Sequence, residues 1–256
     1  MFSTLESPNH LRPGPTPFSR GSAFADRVLQ EARPESLLRS AVEAFGDGLV
    51  LTTAFGLEGS VLVDMVGRLG LPIRIVTLDT GLFFSRTHET WRRLEARHGL
   101  RIEALRPRMD LAKQAASYGE ALWERAPDLC CQIRKVEPLR ELLSEATAWI
   151  TGLRRDQTPE RAATPRVGQD GRFGVVKISP LAHWSVDQVR AYLETHRVPY
   201  NPMFDEGYPS IGCEPCTSQV EAGEDPRAGR WKGHDKRECG LHWDASGALV
   251  RLGARP

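Results

Sequence analysis

The sequence predicts an α/β fold with a doubly wound, mostly parallel sheet. Short apolar runs alternate with helical stretches from residue 34 to residue 196, which is the order of a parallel sheet with helices on both faces. The chain has 256 residues, of which 40 % are apolar and 26 % charged, a size and balance that suit one domain. No internal repeat is present, so a solenoid or propeller is not indicated.

Apolar spacing, together with the positions of glycine and proline, predicts the first elements. Pro34 fits a helix start, apolar residues follow at helical spacing, and Gly46 ends the pattern. The next elements, in chain order, are a strand over 49–54, a glycine-containing turn over 55–60, a helix over 61–70 and a strand over 73–78. This strand, turn and helix order predicts one wound unit of the sheet.

The second half repeats the alternation. It predicts a helix over 86–98, a strand over 101–105, helices over 111–125 and 132–146, strands over 148–153 and 174–178, and a helix over 185–196. After residue 200 the chain is rich in glycine, proline and charge and has little periodicity. That region cannot build a core alone, so it is a tail over the domain or a lid over a site.

Three regions follow from this organisation. Residues 1–22 are polar and proline-containing and are predicted to be a disordered leader, residues 23–222 form the α/β domain, and residues 223–256 form a mobile C-terminal tail.

The charge balance limits the partners of the chain. There are 34 Lys and Arg against 33 Asp and Glu, for a net charge of +1, so no global field draws the protein to nucleic acid or to an anionic membrane. No signal peptide and no apolar run of membrane-spanning length is present. We therefore expect a cytoplasmic protein whose thiols stay reduced.

Three strand ends carry residues suited to an anionic ligand. The turn over 55–60 precedes a helix, Asp79-Thr80-Gly81 follows the second strand, and Arg154-Arg155 follows the fourth. Parallel strand ends meet at one edge of a sheet, where nucleotides bind, and helix N-termini and arginines bind phosphate. Each signal alone also fits a plain connection or a solvated surface; their coincidence on one edge favours a site.

Four of the five cysteines come in two pairs. Cys130 adjoins Cys131, and Cys213 precedes Cys216 by three positions. An iron–sulfur cluster fits four thiolates, although zinc, a redox dithiol or unrelated buried thiols remain open. Adjacent cysteines are awkward for zinc and strained as a disulfide. Cys131 is predicted to begin a helix, whose positive end would stabilise its thiolate.

The fifth cysteine, Cys239, stands alone between Lys236-Arg237 and His242. Basic neighbours favour a thiolate, which indicates a nucleophile, although a free surface thiol is the alternative. Arg227 and Arg230 lie upstream and could draw an anionic substrate towards it, unless they belong to a solvated basic tail.

These motifs together resemble a known family. The matching strings are CCQIRKVEPL at 130–139, LDTG at 78–81, TGLRRDQ at 151–157, PYNP at 199–202, SIGCEPCT at 210–217, GRW at 229–231 and ECGLH at 238–242. The chain resembles the assimilatory adenylyl-sulfate (APS) reductases, the iron–sulfur members of the PAPS/APS reductase family. The similarity covers residues 35–243, which is most of the chain.

The resemblance implies a fold and a reaction. The fold would be adenine nucleotide α-hydrolase-like, with a C-terminal active-site tail that is mobile. The family reduces APS to sulfite and AMP in sulfate assimilation, with thioredoxin or glutaredoxin as the electron donor. Cys239 would attack the sulfur of APS and carry an S-sulfocysteine intermediate, and the enzyme would be a homo-oligomer.

The resemblance also implies the site residues. Cys130, Cys131, Cys213 and Cys216 would hold one 4Fe-4S cluster, and Lys135 would lie between that cluster and the substrate sulfate. The implied substrate contacts are Thr53, Phe55, Gly56, Ser60, Asp79, Gly81, Lys135, Arg154, Arg227, Arg230 and His242. Residues 23–222 would then be the nucleotide- and cluster-binding domain, and residues 223–256 the tail with the catalytic cysteine.

The sequence also leaves alternatives. The first loop reads TTAFGLEGS at 52–60, where many relatives have Ser-x-Ser-Gly-Ala-Glu-Asp, and this loop bears on recognition of a 3′-phosphate; a dual APS/PAPS reductase is therefore an alternative. An ATP pyrophosphatase of the same fold would need a Ser-Gly-Gly-x-Asp-Ser loop, which 52–60 lacks. A zinc-stabilised binding module without catalysis is a third possibility.

Overall fold

A computed structural model describes residues 24–25, 28, 33–236 and 238–241. The predicted leader at 1–22 lies outside these residues. Six strands form one sheet: β1 (Leu49–Thr53), β2 (Arg74–Leu78), β3 (Glu103–Leu105), β4 (Ala148–Ile150), β5 (Val167–Asp170) and β6 (Val175–Ile178). The strand order is β3-β2-β1-β4-β6-β5, with every pair parallel except β5–β6. The predicted α/β fold is confirmed.

Helices cover both faces of the sheet, as the apolar periodicity predicts. They are α1 (Pro34–Phe45), α2 (Leu57–Arg68), α3 (Ser85–His98), α4 (Leu111–Tyr118), α5 (Leu122–Arg125), α6 (Pro127–Cys131), α7 (Glu137–Ser144) and α8 (Val186–Thr195). Alternate strand residues enter two cores: Leu49 and Leu51 pack with α1, α2 and α8, whereas Val50 and Trp149 pack against α7. Because side chains alternate across a strand, one buried run serves both layers.

Several boundaries differ from the prediction. Helix α2 begins at Leu57, so the loop after β1 is only three residues long and Ser60 lies in the helix. The predicted helix over 111–125 breaks at Gly119, which has a φ of +83°. The sequence analysis also missed β5, an antiparallel edge strand whose only buried residue is Asp170. A polar edge strand lacks the apolar run that identifies a buried one.

The cysteine pair is placed differently from the prediction. Cys130 and Cys131 end helix α6, and the chain continues through a π-helical turn over Gln132–Val136 into α7. The prediction that Cys131 begins a helix is therefore wrong. π-Helical turns are rare overall, but those that occur are frequently found at functional sites. Here the π-helical turn follows directly after the pair and contains Lys135.

A buried ionic network joins the helices on one face. Asp64 on α2 is fully buried, and its carboxylate accepts hydrogen bonds from Arg97 at 2.9 Å and from the Tyr192 hydroxyl at 3.0 Å. The Nε2 atom of His98 lies 2.9 Å from the same carboxylate. A buried carboxylate needs partners of this kind, because its charge loses the stabilisation that water gives and regains it only from hydrogen bonds and opposite charges. The network fixes α2, α3 and α8 relative to one another.

Candidate active site

A cavity of about 240 Å³ opens at the carboxyl ends of β1 and β4. From β1 the chain winds one way to β2 and β3, whereas β4 lies on the other side of β1, so the cavity lies at the topological switch point, where open α/β sheets bind ligands. Its lining brings together seven of the predicted site residues: Thr53, Gly56, Lys135, Cys213, Arg227, Arg230 and Cys239.

The loop after β1 is shaped by close contacts. The Thr53 hydroxyl accepts a hydrogen bond from the Phe55 backbone N–H at 3.0 Å. A Cβ atom at Gly59 would lie 2.4 Å from that hydroxyl, so only glycine fits there. Phe55 has a φ of +58°, and its buried ring stacks on Trp91 with centroids 5.4 Å apart. The ring of Phe55 therefore packs in the core, and only the backbone of Phe55 is available to the loop.

Two other predicted contacts lie deeper in the fold. Ser60 is fully buried in α2, and its hydroxyl has no hydrogen-bond partner among the described residues. Asp79 is buried at the end of β2, where its carboxylate accepts hydrogen bonds from the Gly81 N–H and from Arg106, both at 3.0 Å. Asp79 thus shapes the turn after β2, since it holds Gly81 at a φ of +70°.

The arginine pair after β4 separates in space. Arg154 is buried, donates to Glu58 at 2.8 Å and also pairs with Asp156. It lines a second cavity of about 290 Å³, which shares Gly56 with the first. Arg155 is directed elsewhere and donates to the Thr164 carbonyl at 2.8 Å. The pair therefore does not form a single forked anion site.

The four paired cysteines converge beside the cavity, and all are buried and free of disulfides. Cys131, Cys213 and Cys216 pack together with Trp231, and Cys239 lies at the edge of this group. Cys130 packs with Leu122 and Ile133 in an adjoining group, and Trp123 touches both groups. Two segments about eighty residues apart in sequence thus present their thiols to one place.

Burial makes these thiols hard to ionise. It raises the pKa of Cys131 to about 11 and the pKa of Cys216 to about 12, and it also raises the pKa of Cys130. Neighbouring thiols add to the shift because a second negative charge nearby is unfavourable. A bound cation is what would favour ionised thiols here.

The residues present offer the thiolate donors that an iron–sulfur cluster takes. Among the described residues, no three His, Cys, Asp or Glu side chains are placed to hold one metal ion. A cluster fills a wider space, since its irons take one thiolate each. The buried indole N–H groups of Trp123 and Trp231 have no partner within the described ranges, and such donors suit cluster sulfurs. The Thr80 hydroxyl lies 3.3 Å from the Cys213 sulfur.

Lys135 links the cysteines to the cavity. Burial by itself lowers the pKa of Lys135, but attraction to the Cys213, Cys131 and Cys239 sulfurs, once these are ionised, outweighs burial, so the pKa lies above the ordinary value. The side chain is therefore a cation at neutral pH. As it lines the cavity together with Cys239, its charge is available to an anion bound there.

The two tail arginines are also held in place. Arg230 donates to the Cys216 carbonyl and to the Ser210 hydroxyl, each at 3.3 Å, and its guanidinium lies 4.5 Å from the Trp231 ring centroid. Arg227 donates to Glu238 at 3.4 Å. Both line the cavity, so the alternative of a solvated basic tail is excluded for them. His242 and Arg237 lie outside the described residues.

The sequence analysis missed three charged residues that line the cavity: Glu58, Arg161 and Glu238. Glu58 is the partner of Arg154, and Arg161 is the partner of Glu238. Glu238 carried a usable signal, because it is an acidic residue directly before the predicted nucleophile. Arg161 had none, since it lies in an aperiodic stretch and its role depends on a contact with the distant tail.

None of the helices that the structure describes combines the length and the apolar character needed to span a lipid bilayer.

Comparisons with known proteins agree with the resemblance. Residues 48–219 match the phosphoadenosine phosphosulfate reductase domain. Adenosine 5′-phosphosulfate reductase 1 of Bacillus subtilis is 48 % identical over 208 residues, which are 81 % of this chain and 89 % of that protein. Phosphoadenosine 5′-phosphosulfate reductase of Gloeobacter violaceus is 48 % identical over 219 residues, covering 84 % of this chain and 91 % of that protein.

A solved structure gives the same result. The phosphoadenylyl-sulfate reductase of Candida auris, in a phosphate complex, superposes with a TM-score of 0.68 at 34 % identity, covering 77 % of this chain and 95 % of that one. The domain match covers more than half of the chain, and the identities extend over most of it. The chain belongs to the phosphoadenosine phosphosulfate reductase family.

Proposed function

We propose that this protein is an oxidoreductase that reduces adenylyl sulfate (APS) to sulfite and AMP. One observation carries the proposal: a partly exposed cysteine, Cys239, shares a cavity at the nucleotide-binding edge of the sheet with Lys135, Arg227 and Arg230. A thiol next to three cations suits attack on the sulfur of an anionic phosphate–sulfate anhydride. Relatives named APS reductase over most of the chain support it.

The reaction is a transfer to sulfur followed by thiol exchange. The Cys239 thiolate attacks the sulfur of APS, an S–S bond forms, and the bond from sulfur to the phosphate oxygen breaks as AMP leaves with the electron pair. A thiolate of a dithiol donor then attacks the Cys239 sulfur, and sulfite leaves with the electron pair of the S–S bond. The second donor thiol resolves the mixed disulfide, so the donor is oxidised and Cys239 returns as a thiol.

The residues of the site have different proposed roles in this reaction. Lys135, Arg227 and Arg230 would neutralise the sulfate and phosphate oxygens, and the loop with Thr53 and Gly56 would border the nucleotide. Glu58 and Arg154 pair across the mouth of the second cavity, beside that loop. Asp79 and Gly81 would act through the turn that they fix, whereas Ser60 and Phe55 would act through the packing of α2.

We propose that Cys130, Cys131, Cys213 and Cys216 hold one 4Fe-4S cluster. When bound, the cluster supplies electrostatic and structural support to the site rather than electrons to the substrate sulfur. The observation in favour is the convergence of four buried thiols around two unpartnered indole N–H groups. Thioredoxin or glutaredoxin as donor, a homo-oligomer, a cytoplasmic location, and the division into a 23–222 domain and a mobile 223–256 catalytic tail stay predictions.

An assay without oxygen tests the substrate. We expect sulfite to be released from APS in the presence of thioredoxin and its reductant, and more slowly from 3′-phospho-APS, because PAPS reductases of this family usually lack the paired cysteines that this chain has. Sulfite is measured as the product of each nucleotide at equal concentration. Equal rates would instead favour the dual APS/PAPS reductase, and no sulfite from either nucleotide would refute the proposed function.

A further inference from the structure

The segment that carries Cys239 is fastened to three separate elements. Lys236 pairs with Asp128 on α6, the Gly240 carbonyl accepts a hydrogen bond from Arg172 in the β5–β6 turn, and Glu238 pairs with Arg161 after β4. Within its described residues the tail after 222 contains no helix or strand. Backbone hydrogen bonds join the tail to residues 216–218 at an antiparallel bridge between Arg230 and Thr217, and the three side-chain contacts above hold the segment after that bridge.

The Glu238–Arg161 pair involves the residue directly before Cys239 in the sequence. Both carboxylate oxygens of Glu238 accept hydrogen bonds from Nη2 of Arg161, at 2.7 and 2.8 Å. The side chains of Glu238 and Arg161 are only 8 % and 11 % exposed. Arg161 is itself held by Gln157, whose side-chain oxygen accepts from Nη1 at 2.7 Å. Gln157 in turn donates to the Gly152 carbonyl at 3.2 Å, just after β4.

This chain of contacts connects the tail to the sheet. A buried carboxylate without its cation is strongly unfavourable, so the two side chains stay together while the tail is in place. Because Glu238 precedes Cys239 in the backbone, fixing its carboxylate restricts where the Cys239 sulfur can lie. Arg227 also contacts Glu238, at 3.4 Å, so the same carboxylate holds one of the cavity arginines.

We propose that Glu238 is a positioning residue that holds the Cys239 sulfur at the cavity through its pair with Arg161. This assignment rests on the proposed function for its consequence in the reaction, but the contact itself does not. Its loss lets the tail segment leave the cavity more often, which exposes the thiol and lowers the rate of transfer to it. Binding of the adenosine part of the substrate, which the loop with Thr53 and Gly56 would border, does not depend on the pair.

Alkylation of Cys239 tests the contact independently of the reaction. Cys239 is the cysteine of the five that is not buried, so iodoacetamide added to the holoenzyme reports on it, with Cys239→Ser as the background. Glu238→Asp and Arg161→Lys keep every charge but break the geometry of the pair. We expect each to alkylate about tenfold faster than the wild type, the range that loss of a charged hydrogen bond produces.

Glu103→Gln is the matched control. Glu103 also pairs with an arginine through two hydrogen bonds of 2.9 Å, to Arg74, but this pair is exposed and lies at the start of β2, at the opposite edge of the sheet. We expect wild-type alkylation from it. If Glu238→Asp and Arg161→Lys both alkylate at the wild-type rate while remaining folded by circular dichroism, the assignment is overturned.

A second measurement separates positioning from binding. In Glu238→Asp, the single-turnover rate of sulfonate transfer from APS to Cys239 should fall about tenfold, while the affinity for adenosine stays within about twofold. A parallel loss of adenosine affinity would mean that the pair shapes the nucleoside site, and would overturn the positioning role. Absence of transfer in the wild type would count against the proposed function, while the alkylation result would still decide the contact.

Discussion

Replacing Cys239 with serine should abolish sulfite release, with a fall of at least about a thousandfold in the rate from APS. A serine hydroxyl is ionised far less at neutral pH than a thiol, and it cannot form the S–S bond that a donor thiolate later breaks. The measurement is sulfite production without oxygen, with APS and thioredoxin in excess over the enzyme.

The cluster absorbance and the AMP affinity of the same variant serve as its control. Cys239 lies at the edge of the group formed by Cys131, Cys213 and Cys216, and these three and Cys130 are all buried. Cys239→Ser should therefore keep its visible iron–sulfur absorbance and its affinity for AMP. Turnover retained by Cys239→Ser would refute its role as the nucleophile, and loss of the absorbance would place Cys239 among the cluster ligands instead.

The second large effect is expected at the buried cysteines. Replacing Cys213 with serine should reduce bound iron and acid-labile sulfide from about four of each per chain to nearly none, because each iron of a 4Fe-4S cluster needs its thiolate. Cys213 is buried with Cys131 and Cys216, and Thr80 contacts its sulfur at 3.3 Å. Elemental and sulfide analysis of protein purified without oxygen gives the result.

The serine variant of Cys239 is the matched comparison for this experiment, since it changes one thiol to a hydroxyl outside the proposed ligand set. Iron and sulfide should persist in Cys239→Ser and be lost in Cys213→Ser. Zinc without sulfide in the unmodified protein would contradict the cluster and favour a mononuclear site. Full iron and sulfide in Cys213→Ser would exclude Cys213 as a ligand.

Local patterns predicted most of the fold. The strands with buried apolar runs, β1, β2, β4 and β6, were all expected within a few residues, because burial on both faces requires such runs. Strand β5 was not predicted because its only buried residue is an aspartate, so it lacks a buried apolar run. The start of α2 was placed too late because the turn over 55–60 contains two glycines, although the helix tolerates Gly59.

The site was predictable as a set of residues but not as a geometry. Cysteine spacing indicated two pairs and one odd thiol, and the structure packs Cys131, Cys213 and Cys216 together, with Cys239 at their edge and Cys130 in an adjoining group. The sequence could not indicate that the pair at 130–131 ends a helix and is followed by a π-turn, since propensity does not distinguish these turns. Nor could it pair Glu238 with Arg161, because that contact joins segments 77 residues apart.

The central claim is that Cys239 takes the sulfonate group from APS, and one measurement tests it most directly. The protein is incubated without oxygen with APS alone, no thiol donor is added, and the mass of each cysteine-containing peptide is determined. We expect one added sulfonate group, on the peptide that contains Cys239, with AMP released in equal amount. A sulfonate on another cysteine, or AMP released with every cysteine unmodified, would contradict the account.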